Sequence, residues 1–99
     1  MVVVIGEFRL PSNRIEEARP MMRKVIEATL TEAGCISYSY AHDALDQGLI
    51  RVSEAWESAE HLTAHLQTRH MQIWTEEREK LELTGRDITR YEVTDATRF

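Results

Sequence analysis

Three of the four histidines in this chain fall within one stretch, HLTAHLQTRHM, as His61, His65 and His70. Histidine is the commonest metal ligand and the ordinary general base near neutral pH, so the stretch admits a metal site, an acid/base site or a plain helix. On a helix, His61 and His65 stand one turn apart on one side, the spacing of paired metal ligands. The third ligand is harder to supply. A continuous helix turns His70 about 140° from His65 and about 180° from His61, so only a chain break after Leu66 brings them together. Leu62 also stands where a metalloprotease helix carries glutamate after its first histidine. The pattern therefore favours a site without metal.

Leu62 and Leu66 set the inward direction of this helix. His65 falls about 80° from its centre and His61 about 120° from it, which leaves His61 in solvent and places His65 at the rim of the buried face. From there His65 reaches a cavity between helix and sheet, where burial and hydrogen bonding set its protonation. The alternative is a structural histidine bonded to a backbone carbonyl. His70 follows the polar Gln67-Thr68-Arg69, where it caps a second helix, points at the same cavity or lies in a loop.

Other polar groups sit in apolar company. Glu54 and Trp56 alternate with Ile50 and Val52, and a glutamate so placed must be paired, protonated or at the end of the buried zone. Tyr38 and Tyr40 share a face with Ile36, and their hydroxyls need partners if buried. A pocket lined by Tyr40, Glu54, Trp56, His65 and Trp74 has the make-up of a small-molecule site. No phosphate-cradling glycine loop, nucleophile elbow or dinucleotide fingerprint is present, so the sequence implies no cofactor.

The elements that must hold these residues follow from periodicity. Val2 to Leu10 reads as a β-strand ending at Pro11-Ser12-Asn13. A helix is expected over 14–33, with Asn13 and Glu16 as a capping box and Gly34 as its stop; Pro20 should kink or break it near Arg19. Residues 35–42 and 49–57 alternate as a hairpin, with Ile36, Tyr38, Tyr40 and His42 on one face of its first strand. Ser58 caps a helical region that splits after Leu66 into a short helix and a second one carrying Ile73, Trp74 and Leu81. Gly85 ends it, and 88–94 read as the fourth strand. The order β-α-β-β-α-β is the ferredoxin-like α+β unit, a four-stranded antiparallel sheet with helices on one face.

Ninety-nine residues make one domain, 1–99, with one core. A net charge of −5 repels phosphate backbones and anionic lipid, which argues against nucleic acid or membrane partners. The lone Cys35 precludes an internal disulfide and agrees with a reducing compartment. Met1 to Ile5 is too short for a signal-peptide core, and no run is long enough to span a bilayer, so the expected location is the cytoplasm.

Gly34-Cys35-Ile36-Ser37-Tyr38, the loop from Asp43 to Gly48, Glu54-Ala55-Trp56-Glu57-Ser58, and Ala64-His65-Leu66 followed by His70 together resemble the antibiotic biosynthesis monooxygenase family, in its quinol monooxygenase branch. The resemblance implies a subunit that pairs with a second copy through the open sheet face to form a dimeric α+β barrel. It implies oxidation of a quinol, phenol or aromatic polyketide by O2 without metal or flavin. Carried over by motif, His65 and His70 would be the catalytic bases, Glu54 would orient or hydrogen-bond and Trp56 would wall the pocket; Tyr40 and Trp74 join them as substrate-binding residues from the pocket reading above. Haem-degrading relatives carry an asparagine in strand one, a tryptophan on the second helix and a ligating histidine beyond it. Here Gly6, His65 and Thr75 stand at the corresponding places, which argues against haem. A non-catalytic binding module and a non-redox isomerase share the same fold and remain open as alternatives.

Overall fold

Alternation of β-branched residues makes Val2–Arg9 the first strand, β1, with Val2, Val4 and Phe8 turned into the core. The computed structural model describes all of residues 1–99. After a 3₁₀ turn over Ser12–Arg14 come helix α1 (Ile15–Leu30), strands β2 (Cys35–His42) and β3 (Leu49–Trp56), helices α2 (Ala59–Leu66) and α3 (Arg69–Lys80), and strand β4 (Thr84–Glu92). The strands lie in the order β2-β3-β1-β4 with antiparallel neighbours throughout. This is the expected ferredoxin-like fold, with α2 and α3 together taking the place of its second helix.

Register decides what faces what. Tyr38 of β2 pairs with Glu54 of β3, which pairs with Val4 of β1, which pairs with Arg90 of β4. The adjacent inward rung runs Tyr40, Val52, Gly6, Ile88. Gly6 is glycine for a steric reason: a Cβ there would sit 2.4 Å from the Asp87 carbonyl oxygen and 2.7 Å from Ile88 Cγ1. Above these rungs α1 contributes Ala18, Met22 and Val25, and α3 contributes Met71 and Trp74, to the larger core cluster around Phe8, Ile50 and Val52. Trp56, Val2, Val4, Tyr38 and Leu62 form a second cluster beneath α2.

Several local expectations need correction. Asn13 caps nothing: it lies in the 3₁₀ turn, and α1 starts without a side-chain cap. Pro20 neither breaks nor ends α1, which is one helix from Ile15 to Leu30. It forfeits one backbone bond on an exposed face, while the buried stripe of Ala18, Met22 and Val25 holds the helix across the gap. Ile36 leaves the face it was expected to share with Tyr38, because a register shift between Cys35 and Ser37 turns it outward, 53% exposed. Ile73 is likewise exposed, and Met71, Trp74 and Leu81 carry the buried side at this end of the chain.

Gly85 does not stop α3. The left-handed residue that closes it is Glu82, at φ 63°, where Leu83 N–H donates to Arg78 O and Glu82 N–H to Glu79 O, the two bonds of a Schellman closure. The fourth strand therefore begins at Thr84, four residues earlier than periodicity indicated.

Candidate active site

The break after Leu66 is built by two caps. Ser58 Oγ accepts from His61 N–H to start α2, and Thr68 Oγ1 accepts from Met71 N–H to start α3 while donating to the His65 carbonyl at 2.7 Å. The kink between the helices lets His65 and His70, which a straight helix would hold apart, approach one common partner. That partner is Glu32, in the turn after α1. His65 Nδ1 lies 2.7 Å and His70 Nε2 2.8 Å from the same oxygen, Glu32 Oε2.

His65 is buried more deeply than helical phase indicated, at 1% exposure rather than at a rim. Leu66, expected inward, is 58% exposed, so the buried stripe of α2 is Leu62 and His65. The imidazole sits between two aromatic rings, Trp56 at 4.7 Å between centroids and Tyr38 edge-on at 5.3 Å. Burial lowers the His65 pKa below its ordinary value, against the opposing pull of the Glu32 carboxylate. As a carboxylate, Glu32 only accepts, so His65 meets it through Nδ1–H. Nε2 has no hydrogen-bond partner within the chain.

His61 takes no part in this cluster. Its ring bonds Ser58 Oγ at 2.7 Å and lies so close over Gly34 that a Cβ at Gly34 would fall 2.2 Å from it. It is half-buried rather than solvated. Gly34, at φ 78°, thus serves both the left-handed turn and the close seating of that turn against α2, which brings Glu32 to His65.

Beneath His65 a cavity of about 160 Å³ opens over the inward rungs of the sheet. Of the residues expected to line a pocket, Tyr40, Glu54 and His65 do so, while Trp56 and Trp74 lie outside its wall. Trp56 is wholly buried, and its Nε1 donates to Glu54 Oε1 at 3.0 Å. Trp74 packs behind Tyr40 at 6.1 Å between ring centroids. His70 is not on the cavity wall; its ring lies 6.1 Å from that of His65, with a quarter of its side chain exposed.

Three contributors were invisible to sequence reasoning: Glu32, Tyr38 as a lining residue, and a set of arginines, Arg78, Arg86 and Arg90. Glu32 lies past the last periodic residue of α1, where pattern carries no information, and only its nearness to Gly34 marks the turn. Register would have found Arg90, because it shares a rung with Glu54.

Burial pushes the Glu54 carboxyl above its usual range, against the hydrogen bond from Trp56. It also raises Tyr38 strongly and Tyr40 to about 12, and their hydroxyls are 2.7 Å apart. Both tyrosines are therefore neutral hydroxyls available to orient a ligand. The donor atoms of Glu32, His65 and His70 lie within 4.8 Å of one another, so these residues can also converge on a divalent cation. An ion there would displace both hydrogen bonds to Glu32.

A ferredoxin-like sheet thus carries a carboxylate–histidine pair beside a cavity whose wall includes two tyrosines. Residues 1–77 match the family described as antibiotic biosynthesis monooxygenase. The chain is 34% identical over 86 residues to YgiN of Escherichia coli K12, named a probable quinol monooxygenase, covering 77% of this chain and 83% of YgiN. It is 27% identical over 94 residues to the uncharacterised Synechocystis protein sll1783, of which it spans 64% of the length. Among solved structures, a Deinococcus radiodurans protein superposes with a TM-score of 0.93 at 23% identity, covering 100% of this chain and 98% of that one. Rv0793 of Mycobacterium tuberculosis does so at 0.82 and 24% identity, covering 98% of each. These two establish the fold alone. The chain belongs to the antibiotic biosynthesis monooxygenase family.

Proposed function

We propose that this protein is a monooxygenase that oxidises an electron-rich phenol or hydroquinone with O2, the substrate itself supplying the electrons. The observation that carries this reading is the His65 imidazole at the wall of a cavity, its Nδ1 bonded to Glu32 and its Nε2 without a partner in the chain. A phenol seated there gives its proton to His65 Nε2, and the aromatic anion passes an electron to O2. Recombination of the resulting radicals forms a carbon–oxygen bond. One hydroquinone and one O2 give one hydroxyquinone and one water, so all the electrons that reduce O2 come from the ring. Tyr38 and Tyr40 orient the ring, and Glu54, held by Trp56, forms the polar floor. Water is kept from the anion by Leu62, Met71 and the aromatic walls. His70, half-buried and bonded to the same Glu32 oxygen, links the pair to solvent and returns the proton.

Similarity to a protein named as a quinol monooxygenase supports the substrate class. The test is oxygen uptake with hydroquinone by chelator-treated protein, with isotopically heavy O2 traced into the product. Uptake with one labelled oxygen in the product is expected. No uptake with any electron-rich phenol would contradict the reading, and conversion of a substrate without oxygen would indicate an isomerase. The donor set of Glu32, His65 and His70 supports a second reading, a metal-assisted oxygenase, for which uptake would return only when iron or copper is restored.

A further inference from the structure

We propose that the cavity under His65 takes a single aromatic ring bearing an anionic group, such as a carboxylate, and that Arg78, Arg86 and Arg90 bind that group. The proposal rests on the reading of this cavity as the substrate site and names the substrate class. Size gives the first argument. A cavity of about 160 Å³ is close to the roughly 150 Å³ cavity known to admit benzene, so it is sized for a single ring.

Charge gives the second. Arg78 of α3 and Arg86 and Arg90 of β4 all line the cavity, and none forms an ion pair or a side-chain hydrogen bond within the chain. Arg9, Arg14, Arg19, Arg23 and Arg51 are each paired with a carboxylate, and of the five arginines without such a pair only Arg69 and Arg98 lie away from this cavity. In a chain of net charge −5, acids are in excess, so three unpaired guanidinium groups converging on one cavity are not explained by composition. Glu54, the one acid on the wall, is hydrogen-bonded by Trp56, and it feels the Arg86 charge without forming an ion pair with it.

Arg78 is half-buried, and burial together with the neighbouring Arg86 weakens its hold on its proton, an electrostatic cost that an incoming anion relieves. A carboxylate on the substrate meets these forks with charge-assisted hydrogen bonds. The opposite edge of the ring, with its phenolic hydroxyl, then turns toward His65 Nε2. The family match ends at residue 77, so it does not bear on these three arginines.

The experiment is anaerobic calorimetry with 2,5-dihydroxybenzoate and, separately, hydroquinone. The wild-type protein should bind the carboxylated ring at least tenfold more tightly. In the Arg86→Gln/Arg90→Gln double variant, whose altered side chains are exposed and leave the core intact, that ratio should fall toward one. Arg78→Gln should lower it as well. Equal affinity of the wild type for the two rings, or a preference that survives in the variants, would overturn the proposal. So would a change of oligomeric mass in the double variant with the preference intact, which would assign the arginines to contact between copies of the chain. A protein that keeps the preference but takes up no oxygen with either ring would contradict only the redox reading.

Discussion

In the proposed reaction His65 is the base, and its surroundings predict a pH profile. The base must be neutral, and burial lowers its pKa below the ordinary 6.5. Turnover should therefore rise with pH to a midpoint below 6.5 and stay flat through neutrality, as read from initial rates of oxygen uptake. A midpoint well above 6.5 would remove His65 as the base. Glu32 acts through His65, so Glu32→Gln should cut turnover at least tenfold and move that midpoint to lower pH, since the carboxylate opposes the effect of burial. A merely structural Glu32 would leave the midpoint in place. Much of this pairing was legible: His65 and His70 stand out by type, and the polar Gln67-Thr68-Arg69 marks the break that lets them converge. Glu32 was not legible, because the contact depends on how closely the α1–β2 turn is seated, and that is set in space by Gly34 and His61.

Elements set the site through register and helix phase, and the two were not equally readable. Strand β3 alternates without interruption, so its buried face of Ile50, Val52, Glu54 and Trp56 was apparent directly. In β2 one extra residue at Ile36 reverses the alternation locally, and a bulge leaves no mark in residue type. The short α2 offers too few turns for phase to be certain, and two leucines misled it by one residue toward Leu66. A prediction belongs to the middle of the sheet. Gly6→Ala places a methyl group against the β4 backbone, which cannot yield as a flexible side chain would. The variant should lose several kcal/mol of stability in urea titration, on the order of 2–4. It should also disturb Ile88 and Arg90 on the cavity wall; an unchanged denaturation midpoint would show that β4 is loosely held.

At the scale of the molecule, the sheet has one face covered by helices and one bare. Ile5 and Tyr91, each 53% exposed, stand on the bare side with Val3 and Ala55. An open antiparallel sheet tolerates water on one face, yet this face carries apolar residues at its centre, and a second copy laid against it is the cover we propose. Sedimentation at micromolar concentration should give a dimer, and Ile5→Lys should shift it toward monomer; a stable monomer in the unaltered protein would contradict a barrel of two sheets. No helix is long and apolar enough to cross a membrane.

In the proposed reaction a buried histidine, without metal or flavin, starts the attack of O2 on a phenol. This is tested most directly by oxygen uptake with hydroquinone at neutral pH, comparing metal-stripped wild-type protein with metal-stripped His65→Gln. The glutamine retains an amide that can donate to Glu32, so the fold is kept while the ring lone pair is lost. We predict turnover by the wild type and a fall of about a hundredfold or more in the variant. Equal rates in the two stripped proteins, or activity in the wild type only after metal is returned, would contradict the account.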